Sequence, residues 1–272
     1  MSQTIAHAFL FDVDGVITDP AEKKVTQKGL IEAIAERLDS DEVVTLNTGR
    51  SISWLSEKGI FRELETSVKD KSKLSNFIAI GEKGGTWQAY EAGTWKNHID
   101  ESIEVPLELQ DRIRRLIEER FSDLMFFDES KLTMISTEMI DGKSITEFSE
   151  KQKDLVEEMN RILLDPDYKN LNLRIDPTTI ATDIQNAHVG KHLGARKIAD
   201  WIQSKGIKPE HFITVGDSQS DTDMAEELQD DYPVEFVFVG DPEKLDSSRL
   251  HCPIIFTKAR YSAGALEYLK SL

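Results

Sequence analysis

The chain has 272 residues and a formal net charge of −17, which argues against a nucleic-acid partner and against an anionic membrane. Its length allows one sizeable domain or two smaller ones. The single cysteine, Cys252, excludes an intrachain disulfide and favours a reducing compartment. No apolar run approaches the ~20 residues of a membrane span, and the first residues do not fit a signal peptide. We expect a cytoplasmic protein, either a monomer or a homodimer.

The first predicted strand, near residues 7–14, ends in two acidic residues. An apolar run leads into Asp12-Val-Asp14-Gly15-Val-Ile-Thr18, where the glycine lets the chain turn away. A buried parallel strand has no structural use for acids, and ligands of open α/β sheets bind beyond the carboxyl ends of the strands. The pair therefore indicates a cation site with one carboxylate able to act on a substrate. A solvated turn after an ordinary strand is the alternative.

The second predicted strand, near residues 42–48, ends in Asn-Thr48-Gly49-Arg50 and precedes a helix predicted over 50–59. Backbone amides at the start of that helix, together with the Thr48 hydroxyl, can hold phosphate oxygens. Alternatively, Thr48 only caps the helix, and an isolated Asn-Thr-Gly favours that simpler interpretation.

A long insert follows the third predicted strand, near residues 77–82. It begins after Lys83-Gly-Gly and returns near residue 186, and about a hundred residues can form a small domain. We place its boundaries at residues 85–186. Its predicted elements are a hairpin around 86–95, helices near 107–121 and 150–164, and strands near 132–139, 171–176 and 180–185.

Lys191 opens a helix predicted over residues 190–204. A lysine in the first turn is mildly unfavourable against the helix dipole, which suggests an anionic ligand. Lone lysines are usually surface residues, so this position alone decides nothing.

The strand predicted near residues 211–217 repeats the design of the first strand. Its apolar run breaks at Gly216 into Asp217-Ser-Gln-Ser-Asp221, and Asp221 falls where the next helix, near 221–229, begins. A carboxylate near a helix N-terminus is also favourable without any ligand. Four aspartates at two strand ends would nevertheless suit a small hard cation such as Mg2+.

Strands and helices alternate at both ends of the chain, which predicts an α/β class with a doubly wound parallel sheet. The other predicted elements of this sheet are a helix near 26–38 and strands near 234–240 and 251–257.

Together and in this order, four segments resemble the motifs of the haloacid dehalogenase (HAD) superfamily of phosphotransferases. The matching segments are Asp12-Val-Asp14-Gly15-Val-Ile-Thr18, Thr48 in Asn-Thr-Gly-Arg, Lys191, and Gly216-Asp217-Ser-Gln-Ser-Asp221-Thr-Asp-Met224. The resemblance implies a Rossmann-like HAD core at residues 1–84 and 187–272. The insert resembles the type-II (C2) α+β cap, which determines substrate specificity in a branch of sugar-phosphate phosphatases and phosphomannomutases.

The resemblance implies a Mg2+-dependent phosphomonoesterase that acts on a small phosphorylated metabolite, most readily a sugar phosphate, through an aspartyl-phosphate intermediate. Asp12 would be the nucleophile, and Asp14 would be the general acid and then the base. The implied Mg2+ ligands are Asp12, the backbone carbonyl of Asp14, Asp217 and Asp221. Thr48 and Lys191 would bind the transferred phosphoryl group.

The implied substrate-binding residues are Thr48, Gly49, Arg50, Lys83 and Lys191. Lys83 stands where many relatives have asparagine, in an Asn-Gly-Ala/Gly turn, and this departure would alter the contacts with substrate. Arg174 and Lys143 are weaker candidates. Surface solvation is the alternative for Arg50, Lys83, Arg174 and Lys143. The aromatic residues of the predicted hairpin would either stack on a sugar or pack within the insert; they are Trp87, Tyr90 and Trp95.

Three other functions remain open. A phosphomannomutase-like sugar phosphomutase shares the four motifs but needs a second anion pocket in the cap. A non-enzymatic phosphoacceptor such as a receiver domain also gathers aspartates, a threonine and a lysine, but it is much shorter and has no cap. A sugar-phosphate-binding protein without catalysis is disfavoured because every motif residue is present.

Overall fold

The computed structural model describes residues 3–272, which divide into two compact units. The core unit comprises residues 3–98 and 190–272, and the insert unit comprises residues 99–189. Within the described residues, no helix combines the length and apolarity that crossing a membrane requires.

Among residues 3–272, the two units contain twelve strands and eight α-helices. The strands are β1 (Gln3–Phe11), β2 (Val43–Asn47), β3 (Phe77–Gly81), β4 (Thr86–Glu91), β5 (Thr94–Ile99), β6 (Met125–Phe127), β7 (Ile135–Met139), β8 (Leu173–Pro177), β9 (Ala181–Asn186), β10 (Ile207–Gly216), β11 (Val234–Phe238) and β12 (Ile254–Phe256). The helices are α1 (Leu30–Asp39), α2 (Ile52–Glu57), α3 (Ile60–Ser67), α4 (Leu107–Arg120), α5 (Ile145–Leu163), α6 (Lys191–Ser204), α7 (Thr222–Leu228) and α8 (Tyr261–Leu269).

The core unit is built on one sheet with the strand order β12-β11-β10-β1-β2-β3-β4-β5. The pairs from β12 to β3 are parallel, and β4 is antiparallel to β3. The second half of β1 is buried on both faces. Phe9 and Phe11 join an apolar cluster with α1, α2, α3 and α8, whereas Ala8 and Leu10 join another with α6 and α7. This is the doubly wound α/β sheet that the alternation of elements predicts.

The register of the central strands brings three of the motifs to one edge of the sheet. Phe11, at the end of β1, lies opposite Val215 of β10 and Leu46 of β2. The residues that follow these three positions therefore leave the sheet together, at its carboxyl edge.

The hairpin of β4 and β5 corrects the predicted boundary of the insert. The sequence assigns this hairpin to the cap from residue 85 onward, but it extends the core sheet, with Ile80 of β3 opposite Trp87 of β4. Trp95 packs on Phe61 and Phe77 of the core at ring-centroid distances of 5.1 and 5.8 Å. Its indole nitrogen donates a hydrogen bond to Glu65. Because the connection after β3 is short, β4 pairs antiparallel with β3, and this pairing buries the aromatic rings of the hairpin.

The insert unit has an α+β architecture, as expected. Its sheet has the antiparallel order β6-β7-β9-β8. An apolar core joins this sheet to α4 and α5, with contributions from Ile113, Phe148, Leu155 and Ile184. The short strand β6 and the first turn of α5 are not predicted from the sequence, since a three-residue strand carries little periodicity.

We expect Phe148→Ala to destabilise the insert unit by about 3–5 kcal/mol, because its fully buried ring would leave a cavity between α5 and the sheet. Ile145→Ala, on the same helix but 54% exposed, is the matched control and should change the free energy of unfolding by only about 0.5 kcal/mol. Urea unfolding combined with hydrogen exchange of the insert amides measures both effects. Equal losses for the two variants would contradict the assigned core.

Candidate active site

Three carboxylates meet at the carboxyl edge of the core sheet. Asp12 follows β1, Asp217 follows β10, and Asp221 precedes α7. One carboxylate oxygen of each lies within 4.8 Å of the others, and both Asp12 and Asp221 are buried. An all-oxygen set of this kind suits a hard divalent cation such as Mg2+, whereas transition-metal sites usually include histidine or cysteine.

The loop after β1 reaches this cluster because it turns at Gly15. The backbone amides of Ile17 and Thr18 both donate to the Val13 carbonyl, which folds the loop tightly. Gly15 has a φ of 77°, and a Cβ placed there would lie 2.3 Å from Oδ2 of Asp217. A larger residue would therefore separate the loop from the carboxylate cluster, which explains the glycine after the two aspartates.

Asp221 is held in one orientation by its own loop. Its Oδ2 accepts hydrogen bonds from the backbone amides of Asp217 and Ser218, at 3.0 and 2.9 Å, and from the Ser218 hydroxyl at 2.9 Å. These bonds direct Oδ1 towards the cluster, where it accepts a hydrogen bond from Lys191 Nζ. The motif spacing predicts that Asp221 faces Asp217, but the role of Ser218 as the residue that orients Asp221 emerges only from the structure.

Lys191 supplies positive charge to the cluster from the first turn of α6. Its Nζ lies 2.5 Å from Oδ1 of Asp12 and donates a hydrogen bond to Oδ1 of Asp221. The carboxylates thus compensate for a lysine in the first helical turn, where the dipole opposes a cation. The structure brings Lys191 together with both acidic segments, as the sequence predicts.

Electrostatics in the cluster favour additional positive charge. Burial, followed by the charge of Asp221, raises the pKa of Asp217 to about 7. Burial and the charge of Asp221 also raise the pKa of Asp12 well above its ordinary value, although Lys191 acts in the opposite direction. For Lys191, burial alone would lower the pKa, but Asp12 and Asp221 more than compensate and raise it. Three carboxylates share one ammonium group, so a divalent cation would stabilise their ionised forms.

Thr48 lies directly after β2 and is fully buried. Its hydroxyl accepts a hydrogen bond from the backbone amide of Arg50 at 3.1 Å. The cap of α2 is Ser51 instead, whose hydroxyl accepts from the Trp54 amide at 3.1 Å. Helix capping is therefore not the reason for a threonine at position 48.

Arg50 forms an ion pair with Asp14, a contact that the sequence analysis missed. The guanidinium Nε lies 3.0 Å from Oδ2 of Asp14, and Nη2 lies 3.1 Å from Oδ1. Trp54 supports the guanidinium from one side, at 4.8 Å from the ring centroid. Arg50 thus fixes the orientation of the Asp14 carboxylate, in addition to any contact with substrate. The sequence does carry a signal for this contact: Asp14 follows β1, Arg50 follows β2, and these two strands are neighbours in the sheet.

Lys83 lies beside Thr48 in an unusual backbone conformation. It has φ 54° and ψ 32°, in the left-handed region, and Glu82 before it has φ 50°. The Lys83 amide donates to the Thr48 carbonyl at 2.9 Å, and its own carbonyl accepts from the Gly190 amide at 3.1 Å. The side chain lies along Gly49, since a Cβ added there would be 3.4 Å from Lys83 Cε. Asparagine tolerates a left-handed position better than lysine does.

The remaining sequence candidates are placed elsewhere. Arg174 belongs to the insert unit and donates to the Val189 carbonyl at 2.9 Å, and Lys143 is exposed in the same unit. Tyr90 and Trp95 pack against the core cluster. Trp87 stacks on His98 at 5.2 Å. The packing interpretation of the three aromatic residues therefore holds, although they pack in the core sheet and not within the insert.

Comparison with known proteins finds similar solved structures. The sequence matches no protein-family model and no curated protein. The structure is similar to the C-terminal domain of Candida albicans trehalose-6-phosphate phosphatase, with a TM-score of 0.65 and 16% identity over 99% of this chain and 92% of that one.

Two further solved structures show the same likeness. Aspergillus fumigatus trehalose-6-phosphate phosphatase gives a TM-score of 0.56 and 16% identity over 98% of this chain and 92% of that chain. IMP-bound Plasmodium falciparum IMP-nucleotidase gives a TM-score of 0.55 and 12% identity over 98% and 66%. The α/β core with an inserted α+β unit, which the four motifs imply, is therefore confirmed: this chain has the fold of these solved phosphatases.

Proposed function

We propose that this protein is a Mg2+-dependent phosphomonoesterase of the haloacid dehalogenase type that hydrolyses a sugar phosphate. The observation that carries the proposal is the cluster of Asp12, Asp217 and Asp221, in which the ammonium of Lys191 contacts Asp12 and Asp221. Its fold, shared with phosphatases that act on a sugar phosphate and on a nucleotide, supports the same reaction class.

The cation would be held by the three clustered carboxylates and the backbone carbonyl of Asp14. When bound, it neutralises phosphate charge and reduces repulsion between an anionic substrate and the acidic cluster. Lys191 contributes a second positive charge, and the Thr48 hydroxyl is a donor for the phosphate oxygens once the substrate enters.

Asp12 acts as the nucleophile in this proposal. One of its carboxylate oxygens bonds to phosphorus while the bond from phosphorus to the leaving oxygen breaks, and the leaving oxygen takes a proton from Asp14. Asp14, now ionised, then takes a proton from a water molecule, whose oxygen attacks the phosphoryl group and releases Asp12 and inorganic phosphate. Arg50 orients the Asp14 carboxyl between these steps, and substrate phosphate competes with Asp14 for the guanidinium.

We also infer that the insert unit determines which phosphate ester is accepted. All four motif segments lie in the core unit, so residues 99–189 contain none of the proposed phosphate-binding residues. Phosphate release measured over a panel of sugar phosphates and nucleoside monophosphates tests the proposed function. Conversion of a sugar phosphate to its isomer without phosphate release would instead identify a phosphomutase.

The metal site predicts a pH-dependent stability. In the unfolded chain the pKa of Asp217 returns to about 4, so metal-free folded protein retains that proton up to about pH 7 while the unfolded chain has already lost it. We expect the metal-free protein to lose stability as pH rises from about 4 to 7, and Mg2+ to raise the melting temperature above pH 7. In Asp217→Asn, melting should depend less on pH and respond little to Mg2+. Asp200→Asn, an exposed aspartate on α6, is the matched control.

Activity is the second measurement on the same proteins. Chelation should abolish phosphate release and added Mg2+ should restore it. Undiminished turnover in chelator, or an equal Mg2+ response in Asp217→Asn and the wild type, would remove the metal from the proposal.

The roles of the first two aspartates can be separated by the leaving group. We expect Asp12→Asn to eliminate turnover, because an amide is a far poorer nucleophile. Asp14→Asn should lose about 100- to 10,000-fold on a sugar phosphate, whose alkoxide needs a proton, and much less on an aryl phosphate with an activated leaving group. Rates of phosphate release from both substrates measure this difference. Equal losses on the two substrates would show that Asp14 is not the acid.

The left-handed backbone of Lys83 predicts a stabilising substitution. Lys83→Asn should raise the free energy of unfolding by about 1 kcal/mol, since asparagine tolerates this conformation better than lysine. Lys83→Ala removes the same side chain without that relief and is the control. If the ammonium contacts substrate, both variants will raise KM alike. A less stable Lys83→Asn protein in chemical denaturation would contradict the conformational explanation.

A further inference from the structure

Helix α6 contains a glycine that helix propensity disfavours. Gly194 lies one turn after Lys191, where glycine costs about 0.5–1 kcal/mol relative to alanine. A Cβ at this position would lie 2.1 Å from Oδ1 and 2.8 Å from Nδ2 of Asn47. The helix therefore lies directly on the Asn47 side-chain amide, and only glycine allows this approach.

Asn47 ends β2 and is fully buried. Its Nδ2 donates a hydrogen bond of 2.8 Å to the backbone carbonyl of Lys191. Its Oδ1 has no hydrogen-bond partner among the described residues. A buried amide with one unsatisfied atom is costly, and an apolar side chain would avoid the penalty. The hydrogen bond to the Lys191 carbonyl is thus the interaction that explains an asparagine at this position.

A second connection secures the residue before Lys191. The Gly190 amide donates to the Lys83 carbonyl, and the Lys83 amide donates to the Thr48 carbonyl. The start of α6 is therefore tied to the end of β2 twice, once through the strained turn at Lys83 and once through the Asn47 side chain.

We propose that Asn47 is a positioning residue that acts through Lys191. By binding the Lys191 carbonyl, and with Gly194 allowing close contact, it sets the distance of α6 from β2 and so places the Lys191 ammonium between Asp12 and Asp221. The role assigned to Lys191 rests on the proposed phosphatase function, whereas the contact itself does not.

Asn47→Ala tests the placement. Loss of the hydrogen bond lets Lys191 move away from the phosphoryl site, so kcat on an aryl phosphate should fall and the inhibition constant of inorganic phosphate should rise, each by about 5- to 10-fold. The matched control is Thr45→Val on the same strand. Thr45 is equally buried and donates to the Phe9 carbonyl at 2.9 Å, so its loss should lower stability and leave the inhibition constant unchanged.

Combining this variant with Gly194→Ala separates positioning from packing. Gly194→Ala alone should destabilise the protein, because its methyl group overlaps the amide. In the double variant, Asn47→Ala with Gly194→Ala, the methyl group fills the vacated space and the melting temperature should recover. Phosphate inhibition should stay weak, since nothing holds the Lys191 carbonyl. Recovery of both stability and phosphate inhibition in the double variant would overturn the proposal, as would an unchanged inhibition constant in Asn47→Ala.

Acylation of Lys191 provides a readout that does not depend on phosphatase activity. Contact with Asp12 and Asp221 should protect its amine from an acylating reagent, and Asn47→Ala should increase its labelling several-fold relative to Thr45→Val, measured by peptide mass spectrometry. Wild-type protein that hydrolyses no phosphomonoester would refute the proposed function, and increased labelling would then still support the positioning role. Unchanged labelling would overturn it.

Discussion

Mutual repulsion among buried carboxylates is the constraint on which this protein depends. Asp12, Asp217 and Asp221 converge where water is largely excluded, and the single ammonium of Lys191 compensates for only part of their charge. Such an arrangement destabilises a folded chain unless positive charge, such as a bound cation, compensates the carboxylates. The rest of the core can be understood as the support that holds these like charges together: a central strand buried on both faces, a glycine turn, and a serine that fixes Asp221.

Much of the core could be predicted because its signals are local. The apolar run before Asp12 reports burial on both faces of β1, and the glycine-acid breaks mark strand ends that a parallel sheet must bring to one edge. Thr48 and Lys191 carry weaker signals, and only the resemblance of the four segments in this order implies that they lie near the acids. The aspartates are recognisable because a buried parallel strand has no structural use for acids.

The features that could not be predicted depend on distant packing. The amino-acid composition of the β4–β5 hairpin does not show whether it belongs to the core unit or to the insert unit. The contact of Trp95 with Phe61 and Phe77 places it in the core unit. Likewise, Arg50 and Asp14 are 36 residues apart, and their pairing requires the register of β1 against β2. Asn47 looks like an ordinary strand end until the close approach of Gly194 shows what it touches.

The position of β1 between β2 and β10 also bears on how the chain is made. Strand β2 becomes available soon after β1, whereas β10 begins only at Ile207, after the whole insert unit has been synthesised. Nascent β1 therefore keeps one edge of unpaired backbone N–H and C=O groups until most of the protein exists, while residues 99–189 can collapse on local contacts. High contact order of this kind slows folding and leaves the early strands exposed to aggregation. Late completion of the core sheet is thus a consequence of where the insert interrupts it.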